Sequence, residues 1–178
     1  MNLSRNITFK NCIPGLILLA LTLFFSGRLE AVASWSMDKR FKDNGDKTIT
    51  DTKTGLMWMK EDSYLQSGRW TNWFESIQLV RQMNKDGFAN QYDWQTPSIK
   101  ELTTIYEADK INSKVLGKGM IIHIDPIFSK EGGASLWSIE ENGYHNAFGI
   151  ILNTGKRFNS SKKSKFRKFS ENTKILYF

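Results

Sequence analysis

Hydrophobic residues near the N-terminus form one continuous run, unlike the short apolar segments along the rest of the chain. Arg5 and Lys10 precede an uncharged stretch over residues 13–25, and Ala31-Val32-Ala33 follows it. A positive start, an apolar run and small residues at a cleavage position are typical of a secretory signal peptide. We therefore predict that residues 1–33 are removed on export and that the protein is periplasmic or secreted. Because the run is shorter than the ~20 residues of a membrane-spanning helix, we expect no stable membrane span after cleavage.

Two segments of the remaining chain have apolar residues at helical spacing. The first covers residues 72–84 and the second covers residues 98–108. Each begins with a polar residue and has a glutamate three positions later, which is the spacing of a capping box. In the first helix the apolar stripe that would face the core consists of Trp73, Ile77 and Val80, with Met83 as a further candidate. In the second helix it consists of Ile99, Leu102 and either Ile105 or Tyr106.

Short β-forming segments lie on both sides of these helices. The sequence predicts strands over residues 48–50, 56–59, 136–139 and 147–152, and a last strand near residues 156–158. A long irregular region, residues 110–135, lies between the second helix and the later strands. We therefore predict an α+β fold, with two α-helices packed on short antiparallel strands and a long irregular loop region. The length fits one domain, which we assign to residues 34–158.

Basic residues are concentrated at the C-terminal end, and residues 159–178 are interpreted as a basic tail or as an atypical closing strand. The net charge of the chain is +7, and residues 156–178 contain eight basic residues and one acidic residue. Clusters of cations attract polyanions. Because an exported protein rarely meets nucleic acid, we expect an anionic glycan or other surface polymer rather than nucleic acid. The predicted binding residues are Lys156, Arg157, Lys162, Lys163, Lys165, Arg167 and Lys168. The alternative is a solvated tail that binds nothing specific.

A second candidate site is a group of oxygen-bearing side chains near the predicted first turn. Asp43, Asn44, Asp46 and Asp51 lie close together in the sequence, and calcium prefers oxygen ligands on short loops. The EF-hand pattern is not met, because no glutamate follows at the twelfth position. The sequence favours the alternative of a turn whose Asp and Asn side chains bond their own backbone. We therefore expect no cofactor, with calcium as the one ion for which these residues offer ligands.

The chain lacks the patterns of the common catalytic sites. Its only cysteine, Cys12, lies in the predicted signal peptide, so the mature chain has neither a cysteine nucleophile nor a disulfide. His123 and His145 do not have metalloprotease spacing, and no phosphate-binding or dinucleotide motif is present. Glu140 or Glu141 with Asp125 offer carboxylates for glycoside hydrolysis, but no spacing favours them. We predict that the protein is not an enzyme.

Five ordered blocks between residues 40 and 158 resemble a known family. These blocks are Phe41–Trp58, the helix led by Trp73, Asp93–Leu102, Ile124–Phe128 and Trp137-Ser138. In this order and spacing they resemble the Legionella collagen-like (Lcl) C-terminal domain family. The resemblance implies a C-type-lectin-like fold. It also implies a binding role, since the named member of the family is an adhesin domain that binds sulfated glycosaminoglycans and trimerises beside a collagen-like stalk.

The sequence departs from that family at several positions. Gln95 and Thr96 replace an Arg-Leu pair, and Val80 stands where many members carry a cysteine. A Lys-rich segment replaces the usual closing strand with its second cysteine. The chain has neither a collagen-like repeat nor the Glu-Pro-Asn or Gln-Pro-Asp triplet of calcium-dependent sugar sites. Trimerisation through a stalk and a calcium-dependent lectin site are therefore not expected.

Two hypotheses for the function follow. The first is an exported, non-enzymatic binding domain with adhesin-like recognition of anionic surface glycans. The alternative is a structural or assembly subunit of a cell-envelope protein complex, which would contact its partner protein through surface aromatic residues. Trp35, Trp70 and Trp94 are the predicted contact residues for that alternative.

Overall fold

A computed structural model describes residues 34–114 and 120–165 of the protein. In these residues the chain forms nine short strands, arranged in three antiparallel sheets, and three α-helices. This arrangement confirms the α+β class that the sequence predicts. The predicted signal peptide, and Arg167 and Lys168 of the predicted basic tail, lie outside the described residues.

The first sheet is a four-stranded meander at the start of the domain. Its strands are β1 (Ser34–Trp35), β2 (Phe41–Asp43), β3 (Thr48–Asp51) and β4 (Met57–Met59), which pair in this order. Turns rich in Asp, Asn and Gly join the later strands, as the sequence predicts. Phe41 lies opposite Asp51, and Ile49 lies opposite Trp58. This register places Phe41 and Ile49 on the buried face, where both are fully inaccessible to solvent.

Three helices follow, and two of them begin at the predicted capping boxes. They are α1 (Ser63–Ser67), α2 (Trp73–Asp86) and α3 (Ile99–Ile105). Asn72 with Glu75, and Ser98 with Glu101, form both hydrogen bonds of a capping box. The second predicted helix is too long by three residues, because Tyr106 has extended backbone angles. Within the described residues, no helix combines the length and the apolar character needed to cross a membrane.

Helix α1 is absent from the sequence prediction. It has only five residues and buries none of them, so it has no apolar stripe that a pattern could reveal. Its N-cap is Asp62, whose carboxylate accepts a hydrogen bond from the backbone N–H of Leu65 at 2.9 Å. The same carboxylate also accepts a bond from the backbone N–H of Gly133. Asp62 thereby links this helix to the start of the last sheet.

The remaining strands form a small hairpin and a three-stranded sheet. The hairpin is β5 (Ser113–Lys114) with β6 (Ile121–Ile122), inside the region predicted to be irregular. The last sheet is β7 (Ser135–Asn142), β8 (Asn146–Ile151) and β9 (Arg157–Ser161), in this order. The strand predicted near residues 156–158 therefore extends to Ser161. Residues 159–161, at the start of the segment interpreted as a basic tail or an atypical closing strand, lie in β9.

The last sheet separates two groups of buried side chains. On one face, Leu102 and Ile105 of α3 pack with Ile150 and with Phe41 and Ile49 of the first sheet, in the main core. On the other face, Trp73 of α2 packs with Trp137, Ala147 and Phe158. Gly149 allows the middle strand to fit there, since a Cβ at this position would overlap the Leu136 carbonyl oxygen and the Phe158 ring.

Candidate functional site

Five of the seven cations predicted to bind a polymer lie in the described residues, from the residue just before β9 to the end of the described chain. Lys156, Arg157, Lys163 and Lys165 are exposed, whereas Lys162 is only 5% exposed. Strand β9 is an outer strand of its sheet, since its described pairing is with β8 alone. The exposed cations therefore lie along and just beyond one edge of the domain.

Lys162 is held in the interior by its side chain and by its backbone. Its ammonium group donates to the Glu141 carboxylate and to the carbonyl oxygen of Tyr144 at 3.1 Å, and it lies 4.9 Å from the centre of the Trp73 ring. The backbone N–H of Trp73 donates to the Lys162 carbonyl oxygen at 3.1 Å. Lys162 therefore joins the end of β9 to the start of α2, and its charge is not part of the exposed surface.

Arg157 lies at the start of β9, opposite Ile150. Its guanidinium carbon lies 4.3 Å from the centre of the Phe148 ring, a distance at which the ring face attracts a cation. The side chain remains exposed in this position. The contact restricts the guanidinium on the sheet surface, where its charge also interacts with Glu140. Because Arg157 is exposed, an anion can still reach it.

Lys165 lies at the end of the described chain and is bound to α2. Its ammonium lies 2.7 Å from Oε1 of Glu75, the same glutamate that completes the capping box. Hydrogen bonding from Lys165, together with the Asn72 backbone N–H, lowers the pKa of Glu75. Lys163 is exposed and has no ion-pair partner among the residues described. The two lysines thus differ, because the charge of Lys165 is already partly compensated.

The residues predicted as calcium ligands lie along the first turn and β3, but each has its own partners. Asp43 accepts from the Gly45 backbone N–H at 3.0 Å and pairs with Lys60 at 2.5 Å. Asp46 accepts from the backbone N–H and the hydroxyl of Thr48. Asn44 donates its amide to the hydroxyls of Thr48 and Thr50, each at 2.9 Å. These contacts are those of the turn that the sequence favours, and the calcium site stays a prediction.

Asp51, the fourth predicted ligand, lies in a buried ion-pair network. Its fully buried carboxylate accepts from Arg40 Nη2 at 2.7 Å and Arg40 Nε at 3.0 Å. Burial alone would raise the pKa of Asp51, but hydrogen bonds from Arg40, Thr54 and the Lys53 backbone N–H outweigh it and lower that pKa. Arg40 also pairs with Glu107 at 2.9 Å. This network joins the first sheet to the end of α3.

A second acidic group lies beside that network. Carboxylate oxygens of Asp38, Glu107 and Asp125 lie within 4.8 Å of one another, which is close enough for a shared cation. The Lys110 ammonium contacts two of them, at 2.9 Å from Asp38 and 3.3 Å from Asp125. Hydrogen bonds from the Ser36 hydroxyl, which has the larger effect, and from Lys110 lower the pKa of Asp38. The Lys110 ammonium therefore neutralises part of the negative charge of these carboxylates.

The described residues form a cavity of about 610 Å³. It lies between α2 on one side and the segment from β4 to α1 on the other, and core residues of α3 form its floor. The α2 residues in its wall are Ser76, Leu79, Val80 and Met83, which recur at helical spacing. Helix α2 thus has two apolar faces, one packed on the last sheet through Trp73 and one lining this cavity.

Aromatic residues form much of the remaining cavity wall. Trp58, Tyr64, Trp70 and Trp94 all line it, and the Tyr64 and Trp70 rings stack at 4.4 Å. Trp94 is fixed to the end of α2, since its backbone N–H donates to Asn84 Oδ1 at 2.7 Å. The indole N–H of Trp58 is buried and has no acceptor among the described residues. The volume and these walls are those of a small-molecule site.

The sequence analysis missed this cavity, although one signal was present. Leu79 lies outside the predicted stripe of Trp73, Ile77 and Val80, so the apolar surface of α2 is wider than one stripe, which indicates two buried faces. The three tryptophans predicted as protein contacts divide between two places. Trp70 and Trp94 are half-buried in the cavity wall, whereas Trp35 is 44% exposed on β1.

Comparison with known protein families matches residues 47–169 to the Lcl C-terminal domain. The matched segment covers more than half of the chain and runs from β3 beyond the end of β9. It confirms the resemblance found in the sequence blocks. No curated protein and no solved structure matched the chain.

Proposed function

The chain belongs to the Lcl C-terminal domain family, and from this premise we propose that it is an exported, non-enzymatic binding domain for anionic surface glycans. In this proposal the fold is C-type-lectin-like, and the protein acts in the periplasm or outside the cell in an adhesin-like role. The observation that carries the proposal is the row of exposed cations at the β9 edge, outside an otherwise acidic body.

The binding surface would consist of Lys156, Arg157 and Lys163, with Arg167 and Lys168 farther along the chain. Sulfate and carboxylate groups of a glycan pair with lysine and arginine through charge-assisted hydrogen bonds. Lys162 is left out of this surface because it is buried against Glu141. Lys165 contributes less than its neighbours, since it already pairs with Glu75.

Retention on immobilised heparin, a sulfated glycan, tests the proposal. We expect the protein to be retained at about 0.15 M salt and to elute as added salt screens the charges. The triple variant Lys156→Gln, Arg157→Gln and Lys163→Gln should elute at clearly lower salt. The matched control removes the same number of charges elsewhere on the described surface, at Lys39, Lys53 and Lys130.

Equal elution of the triple variant and its control would contradict the proposal, because only net charge would then matter. Failure of the unmodified protein to bind heparin at about 0.15 M salt would contradict it as well. Thermal unfolding of all three proteins shows whether the variants are folded, since these side chains are exposed and their replacement should change stability little.

Assembly into a cell-envelope protein complex is the second candidate function. The observation that favours it is exposed apolar surface at the first strand, where Trp35 is 44% and Met37 is 98% exposed. Within the described residues, strand β1 pairs with β2 alone, and an edge strand of this kind can pair with another chain. Light scattering of the purified protein separates the two functions, since a stable oligomer without heparin retention favours assembly.

A further inference from the structure

The cavity beside α2 has half-buried apolar side chains in its wall. Leu79 and Val80 on α2 and Leu65 on α1 are all of intermediate burial although they line a concave surface. Side chains of this kind favour an occupant that removes them from water. A volume of about 610 Å³ fits a small molecule better than a folded segment of another protein.

The charges in the cavity wall are mainly negative. Glu61 and Asp93 line it, and neither carboxylate has an ion-pair or hydrogen-bond partner within residues 34–114 and 120–165. The one cationic side chain in the wall is Lys60, whose charge is neutralised by Asp43 at 2.5 Å. Two further wall carboxylates, Asp62 and Glu101, accept hydrogen bonds at helix starts. An anionic ligand would therefore be repelled, and a cation would be attracted.

The aromatic residues favour the same charge. Tyrosine and tryptophan ring faces carry partial negative charge and attract ammonium groups, most strongly those with a weakly hydrated, alkylated nitrogen. Trp58, Tyr64, Trp70 and Trp94 all contribute to the wall, and stacking holds Tyr64 and Trp70 together. Aromatic surface and uncompensated carboxylates thus occur in one cavity, where each adds to the binding of an organic cation.

We propose that this cavity binds a free small organic cation of the quaternary ammonium class. The apolar methyl groups would contact Leu79, Val80 and the aromatic rings, while Glu61 and Asp93 would balance the charge. This site lies apart from the cations of β9 and has the opposite preference for charge, so it does not depend on glycan binding.

Choline is the probe, and 3,3-dimethyl-1-butanol, which has carbon in place of the charged nitrogen, is its neutral counterpart. Titration of the purified protein is followed by tryptophan fluorescence, because four tryptophans line the cavity beside Tyr64, and by calorimetry. We expect saturable choline binding and about tenfold weaker binding of the neutral alcohol. Equal binding of the two compounds would overturn the proposal, as would the absence of choline binding at millimolar concentrations.

The double variant Glu61→Gln and Asp93→Asn tests the site itself. It should weaken choline binding about fivefold to tenfold and leave the weak binding of the neutral alcohol unchanged. The matched control, Asp109→Asn with Glu131→Gln, removes two exposed charges that do not line the cavity. Equal choline affinity of the double variant and the control would place the binding elsewhere and overturn the assignment.

Phosphatidylcholine vesicles distinguish a free cation from a membrane headgroup. We expect choline binding without co-sedimentation of the protein with these vesicles. Co-sedimentation in the absence of choline binding would overturn the assignment to a free ligand. Heparin retention is unaffected by either result, so failure of this proposal and failure of glycan binding can be distinguished.

Discussion

At the scale of single residues, the ion pairs of this domain connect segments that are far apart in the sequence. Arg40 bonds both oxygens of Asp51 and also Glu107 and the Thr104 carbonyl oxygen. Removal of one member of a buried pair leaves an uncompensated charge, which costs more than the pair contributes by itself. The network therefore fixes the first sheet against α3.

Asp51→Asn should lower the free energy of unfolding by about 3 kcal/mol at neutral pH, because it leaves Arg40 without its main partner. The pKa of Asp51 is lowered in the folded state. Its stabilising contribution is therefore complete above the unfolded-state pKa of about 3.9 and is lost as pH falls through the lower folded-state value. Urea unfolding between about pH 5 and pH 2 measures this loss.

The variant should show a weaker dependence of stability on pH over that interval than the unmodified protein. Asp109→Asn is the matched control, because Asp109 is exposed and has no hydrogen-bond or ion-pair partner in the described part of the chain. Parallel pH curves for the unmodified protein and Asp51→Asn would contradict the assignment of acid sensitivity to this residue.

Residue patterns predict the elements better than they predict the contacts. Asn72 with Glu75 and Ser98 with Glu101 mark the two helix starts correctly, because a capping box is a local interaction. The burial of Lys162 could not be predicted, because it depends on Glu141 and Trp73, which are distant in the sequence. The cavity was missed for the same reason, since its wall combines residues from β4, the three helices, β6 and β7.

At the scale of elements, β9 is held by β8 on one side and by the start of α2 at its end. The side chain and carbonyl oxygen of Lys162 make the contacts to α2. From the sequence alone, Lys162 cannot be distinguished from the solvated lysines of the predicted tail, because its neighbours are also basic. Strand β9 ends at Ser161, one residue before Lys162, so the pairing of β9 with β8 places Lys162 beside Glu141 and Trp73.

Lys162→Ala should lower the free energy of unfolding by about 2 kcal/mol or more, through lost packing and unpaired carbonyl groups. The neighbouring Lys163→Ala is the matched control and should stay within about 0.5 kcal/mol of the unmodified protein, because Lys163 is exposed. Chemical denaturation measures both, and faster hydrogen exchange in β9 of the first variant would locate the effect. Equal stability of the two variants would contradict a structural role for Lys162.

At the scale of the whole molecule, the domain carries two surfaces of opposite charge preference. Cations are exposed at the β9 edge, and the uncompensated carboxylates of Glu61 and Asp93 lie in the cavity wall. The net charge of +7 is a sum over the whole chain, so it reveals neither of these two surfaces. Composition predicted the first surface, because its residues are contiguous in the sequence, whereas only the fold brings the second together.

Export is the prediction that concerns the whole chain. Strand β1 begins at Ser34, so cleavage after Ala33 would leave every described strand intact. We expect the protein expressed in a bacterium to be recovered outside the cytoplasm with Ser34 as its first residue. Cell fractionation and N-terminal sequencing measure this, and recovery of the uncleaved chain in the cytoplasm would contradict export.

The attachment of β9 to α2 through Lys162 has a consequence for how the molecule can be made. The final strand is secured by an ammonium group, a carboxylate and main-chain bonds, and the only thiol of the chain, Cys12, lies outside the domain. Correct folding thus requires no oxidant and no isomerase for thiol exchange. The domain should reach the same native state under reducing and oxidising conditions, and dithiothreitol should leave its thermal transition unchanged.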